Sequence, residues 1–317
     1  MDKIIKIGVS SCLLGNEVRY NGGHSRDRYI TDILGQHFSF VAVCPEVEVG
    51  LGIPRETLRL VGDPEAPRLL TSKTGKDYTD LMNTWALNRV RELEKEDLCG
   101  FIFKSKSPSS GMERVKVYTE KGFPGTNKGV GLFARAFMTH FPLIPVEEEG
   151  RLHDEVLREN FIERIFALKR WREVAAQRKS RGNIVAFHTA HKLQIMSHSQ
   201  KHYTDMGRLV ARIKETPLES LYVQYGTMLM QALSLKATVK KNVNVLQHMA
   251  GFFKKQLSRD EKQELLEVIE QYHRYYIPLI VPITLFNHYV RKYDQEYLQK
   301  QYYLNPHPIE LKLRNRA

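Results

Sequence analysis

Two cysteines and a glutamate carry the most reactive chemistry in the first fifty residues. Cys12 lies in "SSCLLGNEVRYNGGH" and Cys44 in "VAVCPEV", with Glu46 two residues beyond Cys44. A thiolate binds soft metals or acts as a nucleophile, and a carboxylate acts as a general acid or base. A lone cysteine is more often a small buried apolar side chain, and a lone glutamate is more often a surface carboxylate. Their positions in the fold must decide between these interpretations.

A serine-rich stretch, "KSKSPSSG" at residues 104–111, is the other candidate for chemistry. It places two lysines, four serines, a proline and a glycine in eight residues, directly after the apolar run "CGFIF". Such a loop could bind an anion, present a nucleophilic hydroxyl or support a metal. The residues that meet it in space determine which.

Strand-like segments precede each of these candidates. Residues 4–10, 38–44 and 100–104 are rich in β-branched and aromatic side chains, and residues 142–146 form a last short strand of the same kind. Helical spacing separates them. Residues 129–141 are one predicted helix. The other covers residues 77–97, where apolar residues recur on one face: Leu81, Met82, Trp85, Ala86, Val90 and Leu93. The alternation predicts an α/β domain with a mostly parallel, Rossmann-like sheet and helices on both faces.

The predicted strands place the cysteines differently. Cys12 follows the first strand and Cys44 ends the second, so both belong at the carboxyl edge of a parallel sheet, where ligands bind. Cys99 precedes the third strand and lies at the amino end. Five strand residues span about 16 Å, far beyond a metal–sulfur bond of about 2.3 Å. We therefore interpret Cys99 as structural and expect residues 105–111 to reach the carboxyl edge.

The second half of the chain is helical in pattern. Residues 147–155, "EEEGRLHDE", are polar and predict a strand-free linker, so we divide the chain into domains at 1–148 and 149–317. Helical periodicity then covers five segments, at residues 154–182, 183–215, 218–233, 236–253 and 258–277. The sequence predicts an all-α second domain.

Charge separates the two halves. Residues 1–150 carry 20 basic and 20 acidic side chains, whereas residues 151–317 carry 28 basic and 16 acidic side chains, the whole net charge of +12. This asymmetry favours a polyanionic partner for the second half. The alternative is a basic domain that is merely soluble.

Candidate contacts for such a partner lie on the second predicted helix of this half. Lys192, Lys201 and Arg208 could bind phosphates. His188, His191, His198 and His202 are spaced as a single helical stripe. Metal binding is one interpretation of the stripe, but no cysteine or paired carboxylate completes a site. A buried or interfacial stripe is therefore the better interpretation.

Cell location follows from three features of the sequence. The first residues show no basic segment followed by a long apolar one, so we expect no signal peptide. The longest apolar run, "IPLIVPITLF", is shorter than the roughly 20 residues of a spanning helix. Three cysteines do not make a disulfide framework. We expect a cytoplasmic protein without a membrane partner, and the sequence indicates no protein partner.

Several of these motifs together resemble a known family. "SSCLLG", "VRYNGGH", "VCPEVEVGLGIPRE", "KSKSPSSG" and "GVGLFARAF" cover about the first 145 residues and are similar to the TudS-type thiouracil desulfidases. The second half, with "ENFIERIFALKRW" and "LIVPITLFNHYV", resembles the YbgA-type domain. The tandem arrangement is similar to the RudS-type desulfidases, which remove sulfur from 4-thiouridine in tRNA. The resemblance therefore implies a tRNA partner.

The resemblance also implies a cofactor and its ligands. In the family, three cysteines hold a [4Fe–4S] cluster whose fourth iron is open to the substrate sulfur. Cys12 and Cys44 match the first two ligands, and the third lies in an S-P-S-C-G loop. Ser110 occupies that position here. A hydroxyl is a poorer iron ligand than a thiolate. Either serine replaces a native cysteine or this lineage holds the cluster otherwise, and the cluster is then weak or absent.

Catalytic and substrate-binding residues are implied in the same way. Glu46 and Ser107 match the catalytic pair. The glycine-rich "RYNGGH" suggests a substrate-binding segment, with Arg19, Tyr20, Asn21, Gly23 and His24, although the same residues are also typical of a plain turn. Three functions remain open: a tRNA 4-thiouridine desulfidase, a desulfidase of free thiobases, and a non-catalytic RNA-binding protein that lost its third cysteine.

Overall fold

A computed structural model of the chain describes residues 5–315. Ile4, the first residue of the first predicted strand, lies outside this range. The chain divides into two units between Asp154 and Glu155. Residues 149–154, which we place in the second domain from the sequence, thus belong to the first unit.

A parallel sheet organises the first unit. Its strands are β1 (Ile5–Ser10), β2 (Phe38–Val43), β5 (Phe101–Phe103) and β8 (Val146–Glu148), in the order β2-β1-β5-β8. All three pairings are parallel, and β1 and β2 are in register from Ile5 opposite Phe38 to Ser10 opposite Val43. The predicted α/β class is confirmed.

A second sheet of four strands was not predicted. It contains β3 (Leu58–Val61), β4 (Arg68–Thr71), β6 (Val115–Tyr118) and β7 (Pro124–Gly129), in the order β4-β3-β6-β7 with only β3–β6 parallel. Leu60 and Val117 anchor its small apolar core. The strands are short, and β7 reads "PGTNKG", which has no apolar alternation for a sequence pattern to detect.

The described part of the unit also has three α-helices, α1 (Pro45–Glu48), α2 (Thr79–Leu93) and α3 (Leu132–His140), besides shorter helical turns. The buried face of α2 is narrower than predicted, because Leu81 is 48% exposed and Trp85 is half-buried. Two predicted boundaries were also wrong. Residues 142–145 precede the last strand instead of forming it, and Gly129 ends β7 rather than starting a helix.

The prediction that residues 147–155 form a strand-free linker is also wrong. Glu147 and Glu148 belong to β8 and are buried. A single helical turn follows at Arg151–His153. Glu147 and Glu148 can be buried because a hydrogen-bond donor contacts each carboxylate. Glu148 accepts a hydrogen bond from the amide of Met112 at 3.1 Å, and Glu147 pairs with Arg151 at 2.5 Å.

The second unit is all-α, as predicted. Its helices are α4 (Glu155–Ala176), α5 (Arg181–His198), α6 (Gln200–Ala211), α7 (Leu218–Ser234), α8 (Val239–Ala250), α9 (Arg259–His273), α10 (Ile280–Lys292) and α11 (Glu296–Gln299). The sequence pattern missed α10, whose third residue is Pro282. A proline is tolerated in the first turn of a helix, where its missing N–H has no partner to lose.

The predicted helix over residues 183–215 is two helices. Ser199 is extended, with φ −157°, and its side chain accepts a hydrogen bond from the amide of His202 to cap α6. The four histidines therefore do not form one stripe. His202 lies in the first turn of α6, while His188, His191 and His198 remain on α5.

Each of these histidines has a protein partner. His191 contacts Phe187 and accepts a hydrogen bond from Arg170 at 3.1 Å. His188 contacts Tyr225 at 3.2 Å, and burial lowers the pKa of His188 to about 4. His198 meets the buried carboxylate of Glu163 at 3.0 Å. These contacts agree with packing rather than metal binding.

A buried ion cluster holds the end of the chain against α4. Arg314 is 4% exposed in its side chain and pairs with Glu163 at 2.9 Å and Glu159 at 3.0 Å. The pKa of Glu163 is lowered, because the hydrogen bond from His198 and the charge of Arg314 outweigh its burial.

No helix within residues 5–315 is long and apolar enough to cross a bilayer.

The serine-rich loop after β5 is fixed at its far end by α3. The carbonyl of Ser109 accepts hydrogen bonds from the amides of Phe133 at 2.9 Å and Ala134 at 3.2 Å, and Gly131 donates to the carbonyl of Gly111 at 2.8 Å. The first amides of a helix have no hydrogen-bond partner within that helix. The carbonyls of the loop provide the missing partners for α3. A Cβ atom at Gly131 would lie 2.5 Å from the carbonyl carbon of Ser109. Glycine is therefore required there.

The start of the same loop is fixed by Glu149. Its carboxylate accepts hydrogen bonds from the amide and hydroxyl of Ser105, both at 2.8 Å, and pairs with the ammonium group of Lys104. The loop is thus held at both ends before any ligand is bound.

The contact at Gly131 makes a stability prediction. Gly131→Ala should lower the free energy of unfolding by about 1–3 kcal/mol, because the new methyl group cannot fit without moving the backbone of the loop. Urea unfolding measures this directly. Gly150→Ala is the matched control, since Gly150 has φ −65° and nothing within 4 Å of an added Cβ. Equal destabilisation by both changes would contradict the close packing of α3 on the loop.

Candidate functional site

Three chain segments that leave the parallel sheet at one edge enclose a cavity of about 380 Å³. They follow β1, β2 and β5, which are neighbours in the sheet. The cavity is lined by residues 10–12, 18–20, 43–46, 55, 57, 58 and 104–110. The structure therefore brings together the two cysteines, Glu46 and the serine-rich loop that the sequence identifies.

The two cysteines sit on short helical turns at the strand ends. Cys12 lies in the turn Ser11–Leu14, and Cys44 is the N-cap residue of α1. Both are partly exposed and free of disulfides. Burial raises the pKa of Cys12 to about 11, and it also raises the pKa of Cys44. Both are therefore protonated thiols at neutral pH, and a bound metal would have to displace their protons.

Ser110 forms the third side of this group. It is 4% exposed and lines the cavity. Its amide donates to the hydroxyl of Ser107 at 3.1 Å, while its own hydroxyl has no hydrogen-bond partner among residues 5–315. The side chain at this position therefore lies at the cavity, where its terminal atom is available to bind a ligand.

The residues of this cavity fit an iron–sulfur cluster in part. Two thiols in a cavity of several hundred cubic ångströms fit such a group, because thiolate is the usual ligand of its irons. The third donor does not, since a serine hydroxyl is hard and binds iron less well. In the described part of the chain no three His, Cys, Asp or Glu side chains could hold a metal ion. The site therefore fits a cluster at Cys12 and Cys44 and departs from it at Ser110.

Cys99 lies away from this cavity. It is 1% exposed and precedes β5, and its amide donates to the carbonyl of Lys6 near the start of β1 at 2.8 Å. This is the amino end of the sheet, as expected from the sequence. Cys99 packs in the core and is not part of the candidate site.

Glu46 is held by an arginine that sequence reasoning missed. Arg55 donates to one carboxylate oxygen, Oε2, from Nη2 at 2.5 Å and from Nε at 2.9 Å. It also donates to the carbonyls of Val18 at 2.9 Å and Gly52 at 3.1 Å. The side chains of Arg55 and Glu46 are 6% and 16% exposed. Arg55 therefore fixes the carboxylate at the wall of the cavity.

A second missed residue, Ser109, connects the two predicted catalytic residues. Its hydroxyl donates to Oε1 of Glu46 at 3.0 Å and lies 3.0 Å from the hydroxyl of Ser107. Because the hydroxyl of Ser109 donates to the carboxylate, its oxygen accepts a hydrogen bond from the hydroxyl of Ser107. The hydroxyl oxygen of Ser107 in turn accepts hydrogen bonds from the amides of Ser109 at 3.3 Å and Ser110 at 3.1 Å. The result is a continuous path from Ser107 through Ser109 to Glu46.

This hydrogen-bonded path can stabilise negative charge and transfer a proton. The two amides can stabilise negative charge on the oxygen of Ser107, and the path can carry its proton to the carboxylate. The only signal in the sequence that could have added Ser109 to the candidate catalytic residues is its position two residues after Ser107. No spacing rule links Arg55 to Glu46.

The predicted substrate-binding segment is only partly at the cavity. Arg19 and Tyr20 line it, and the carbonyl of Tyr20 accepts from the amide of Arg55 at 2.8 Å. Asn21, Gly23 and His24 lie in the adjoining turn. There Asn21 Oδ1 accepts from the amide of Gly23 at 3.2 Å, and His24 Nδ1 accepts from that of Arg26 at 3.2 Å. Substrate binding by these residues stays a prediction.

The three predicted RNA contacts in the helical unit have different surroundings. Lys192 lies 4.8 Å from the ring centre of Tyr297. Lys201 is exposed. Arg208 is 74% exposed in its side chain and lies 3.5 Å from Asp205. Their contact with RNA also stays a prediction.

The gap in the ligand set predicts a change in iron binding. Ser110→Cys should allow the chain to bind about four iron atoms on anaerobic reconstitution, with a broad brown absorption, because it adds the third thiolate that the resemblance implies. The unchanged chain should retain little iron. Iron and sulfide analysis after gel filtration measures both.

The control for iron binding is Cys99→Ser in the Ser110→Cys background. It should leave the iron content unchanged, since Cys99 lies at the other end of the sheet. If the unchanged chain binds iron as tightly as the Ser110→Cys variant does, the assignment of the third ligand is wrong.

Comparisons with known proteins agree with this site. Residues 7–149 match the model of a family described as 2-thiouracil desulfurase, and residues 192–308 match DUF1722, a family of unknown function. The uncharacterized protein YbgA of Escherichia coli (strain K12) is 32% identical over 153 residues, which are 48% of this chain and 90% of YbgA. The uncharacterized protein YbbK of Bacillus subtilis (strain 168) is 31% identical over 127 residues, 38% of this chain and 83% of YbbK.

Among solved structures, the [4Fe-4S]-dependent thiouracil desulfidase TudS is 28% identical to this chain. The match has a TM-score of 0.38 and covers 47% of this chain and 94% of TudS. The family models and the two curated relatives establish the relationship. The chain belongs to the 2-thiouracil desulfurase family over its first unit and to the DUF1722, or YbgA-type, family over its helical unit.

Proposed function

We propose that this protein is a desulfidase that removes sulfur from 4-thiouridine in tRNA and leaves uridine. The observation that carries the proposal is the meeting of Cys12, Cys44 and the residue 110 position with Glu46 and Ser107 in one cavity. Membership of the 2-thiouracil desulfurase family supports the reaction class. The basic helical unit supports the choice of a polyanionic substrate.

The cofactor that we propose is a [4Fe–4S] cluster held by Cys12, Cys44 and a cysteine at position 110, where this chain has Ser110. Bound there, it would supply a Lewis acid for the thiocarbonyl sulfur. The overall reaction is not a redox step. A C–O bond forms from water at C4, the C–S bond breaks, and sulfur leaves as hydrogen sulfide.

Glu46 is suited to manage the protons of this reaction. Arg55 occupies Oε2, so the carboxylate cannot rotate freely, and Oε1 remains directed toward the serines. In this position Glu46 can take a proton from the attacking water, directly or through Ser109. A fixed acid or base of this kind contributes about 10²–10⁴-fold to rate.

Ser107 is suited to bind the reacting group. Its oxygen is held by two backbone amides, and its own proton is shared with Ser109. When Glu46 is ionised, Ser107 donates to Ser109 and Ser109 donates to Glu46. When Glu46 is protonated, the three donors can reverse, so that Glu46 donates to Ser109, Ser109 donates to Ser107, and Ser107 donates a hydrogen bond outward. The pair can therefore pass a proton in either direction without a large movement.

Charge supports tRNA as the substrate. The helical half carries a net +12, whereas the first 150 residues are neutral. Neutralising phosphates releases counterions, which makes such binding strong at low salt and weak at high salt. We propose that the helical unit binds the tRNA, and that Lys192, Lys201 and Arg208 contribute. This assignment implies action where tRNA is found, in the cytoplasm.

Two alternative functions each have an observation in their favour. The cavity of about 380 Å³ is large enough for a free thiobase, which favours a desulfidase of small substrates. Ser110 at the third ligand position favours a protein that binds RNA without catalysis.

The proposed reaction is tested with the reconstituted Ser110→Cys variant and tRNA that contains 4-thiouridine. Loss of the 4-thiouridine absorbance and appearance of uridine are the expected result, with a KM that rises as salt rises. Activity on the free nucleoside should depend little on salt. Glu46→Gln in the same background should keep its iron and lose about 10²–10⁴-fold in turnover.

Each alternative predicts a different outcome of this assay. Equal activity on tRNA and on nucleoside at all salt concentrations would favour the free thiobase. Full loading with iron and no turnover on either substrate would contradict desulfidation. Loss of iron from Glu46→Gln would make Glu46 a structural residue.

Ser109 provides a separate prediction about the proton path. Ser109→Ala in the Ser110→Cys background should keep iron and fold but lower kcat by about tenfold or more, with KM little changed, because the link between Ser107 and Glu46 is lost. Ser109→Thr keeps a hydroxyl and should recover part of the rate if the methyl group fits. An unchanged pH–rate profile and kcat in Ser109→Ala would show that the path is not used.

A further inference from the structure

The positive charge of the helical unit is concentrated in one part of the chain. Residues 192–255 carry 10 basic and 3 acidic side chains, whereas residues 256–317 carry 9 basic and 8 acidic side chains. The first of these segments begins within α5 and runs through α8. A polyanion bound by this unit should therefore lie against α5–α8 rather than α9 or α10.

An open groove of about 670 Å³ lies among these helices, between the end of α5, the start of α6 and α8. Six polar or aromatic side chains line most of it: Gln200, Tyr203, Lys240, Asn244, Gln247 and His248. None of its lining residues carries a carboxylate. The groove thus has rings, amides and positive charge, and it has no group that repels a phosphate.

The rings and amides of the groove match what an unpaired base requires. The ring of His248 is exposed, and it contacts Phe252 in a T-shaped arrangement at 5.5 Å between ring centres. The amides of Gln200 and Asn244 meet across the groove at 3.4 Å. Proteins that read single-stranded RNA stack its bases on such rings and bind the base edges with amides.

Two neighbouring lysines of the groove have different roles. The ammonium of Lys241 donates to the carbonyls of His198 at 2.6 Å and Lys236 at 2.8 Å, so it is committed to the fold. Lys240 is exposed and has no partner among residues 5–315. Its charge is available to a ligand at the rim of the groove.

We propose that this groove binds an unpaired nucleotide of RNA, with the base against Tyr203 and His248 and the adjacent phosphate near Lys240. The inference rests on the proposed action on tRNA and adds the place where the RNA is held. The size fits one nucleotide, since small-ligand sites range from about 300 to 1,000 Å³. The lining is too polar for the apolar anchor of a protein partner.

The position of the groove gives Arg208 a smaller role in RNA binding than the sequence predicts. Arg208 lies outside it, on a surface that is also lined by Arg212, Asp205 and Glu215. The two carboxylates there offset the charges of the two arginines and weaken the attraction for phosphate. Lys240 should therefore contribute more to RNA binding than Arg208 does.

The test is a fluorescence anisotropy titration of the full chain with a short oligouridylate and with tRNA, at several salt concentrations. Lys240→Gln should reduce the salt slope by about one and weaken binding several-fold, because one phosphate contact is lost. His248→Ala should weaken binding by about 5- to 100-fold with an unchanged slope, because it removes stacking rather than charge.

A matched control is Lys262→Gln, which removes an exposed lysine of α9. It should leave both the affinity and the salt slope nearly unchanged. Circular dichroism and thermal melting of each variant show that the helical unit stays folded.

The outcomes separate this inference from the proposed function. If the chain binds RNA and the Lys240, His248 and Lys262 variants bind alike, the groove is not the site, while desulfidation of tRNA stands. If the groove variants weaken RNA binding and the loaded Ser110→Cys chain does not act on tRNA, the groove stands and the reaction does not. Failure of the unchanged chain to bind either RNA at low salt would overturn the groove and the tRNA substrate together.

Discussion

Parallel pairing of β2, β1 and β5 is the constraint on which the site depends. Parallel neighbours leave the sheet at one edge, so the segments after these strands must meet there. Residues 12, 44 and 110 are far apart in the chain, yet they line one cavity for this reason. The same rule excludes Cys99, which enters β5 at the opposite edge. Strand direction thus selects which cysteines can share a metal.

The second requirement is a loop that is rigid before ligands bind. α3 satisfies its own first amides with loop carbonyls, Gly131 permits the close approach, and Glu149 holds the start of the loop. Rigid placement lets the hydroxyls of Ser107 and Ser109 form a fixed path to Glu46. A positioned group contributes to rate only while its geometry is maintained. The packing of the first unit and its proposed chemistry therefore share the same contacts.

Much of the site followed from the sequence because strand ends can be recognised from local patterns. The β-branched runs before Cys12 and Cys44 identified the carboxyl edge. The second sheet could not be predicted, since strands such as "PGTNKG" have no apolar alternation. Arg55 was missed because a salt bridge between a short helix and the loop that follows it leaves no periodic signal. The break at Ser199 was missed because apolar residues continue on both sides, and only the backbone shows where one helix ends.

The most direct test of the cluster assignment is iron anomalous diffraction from crystals of the anaerobically reconstituted Ser110→Cys chain. The account predicts iron in the cavity at the carboxyl edge, with metal–sulfur distances of about 2.3 Å, typical of metal–thiolate bonds, to the sulfurs of Cys12, Cys44 and the new residue 110. Iron bound through Cys99, or outside this cavity, would contradict it.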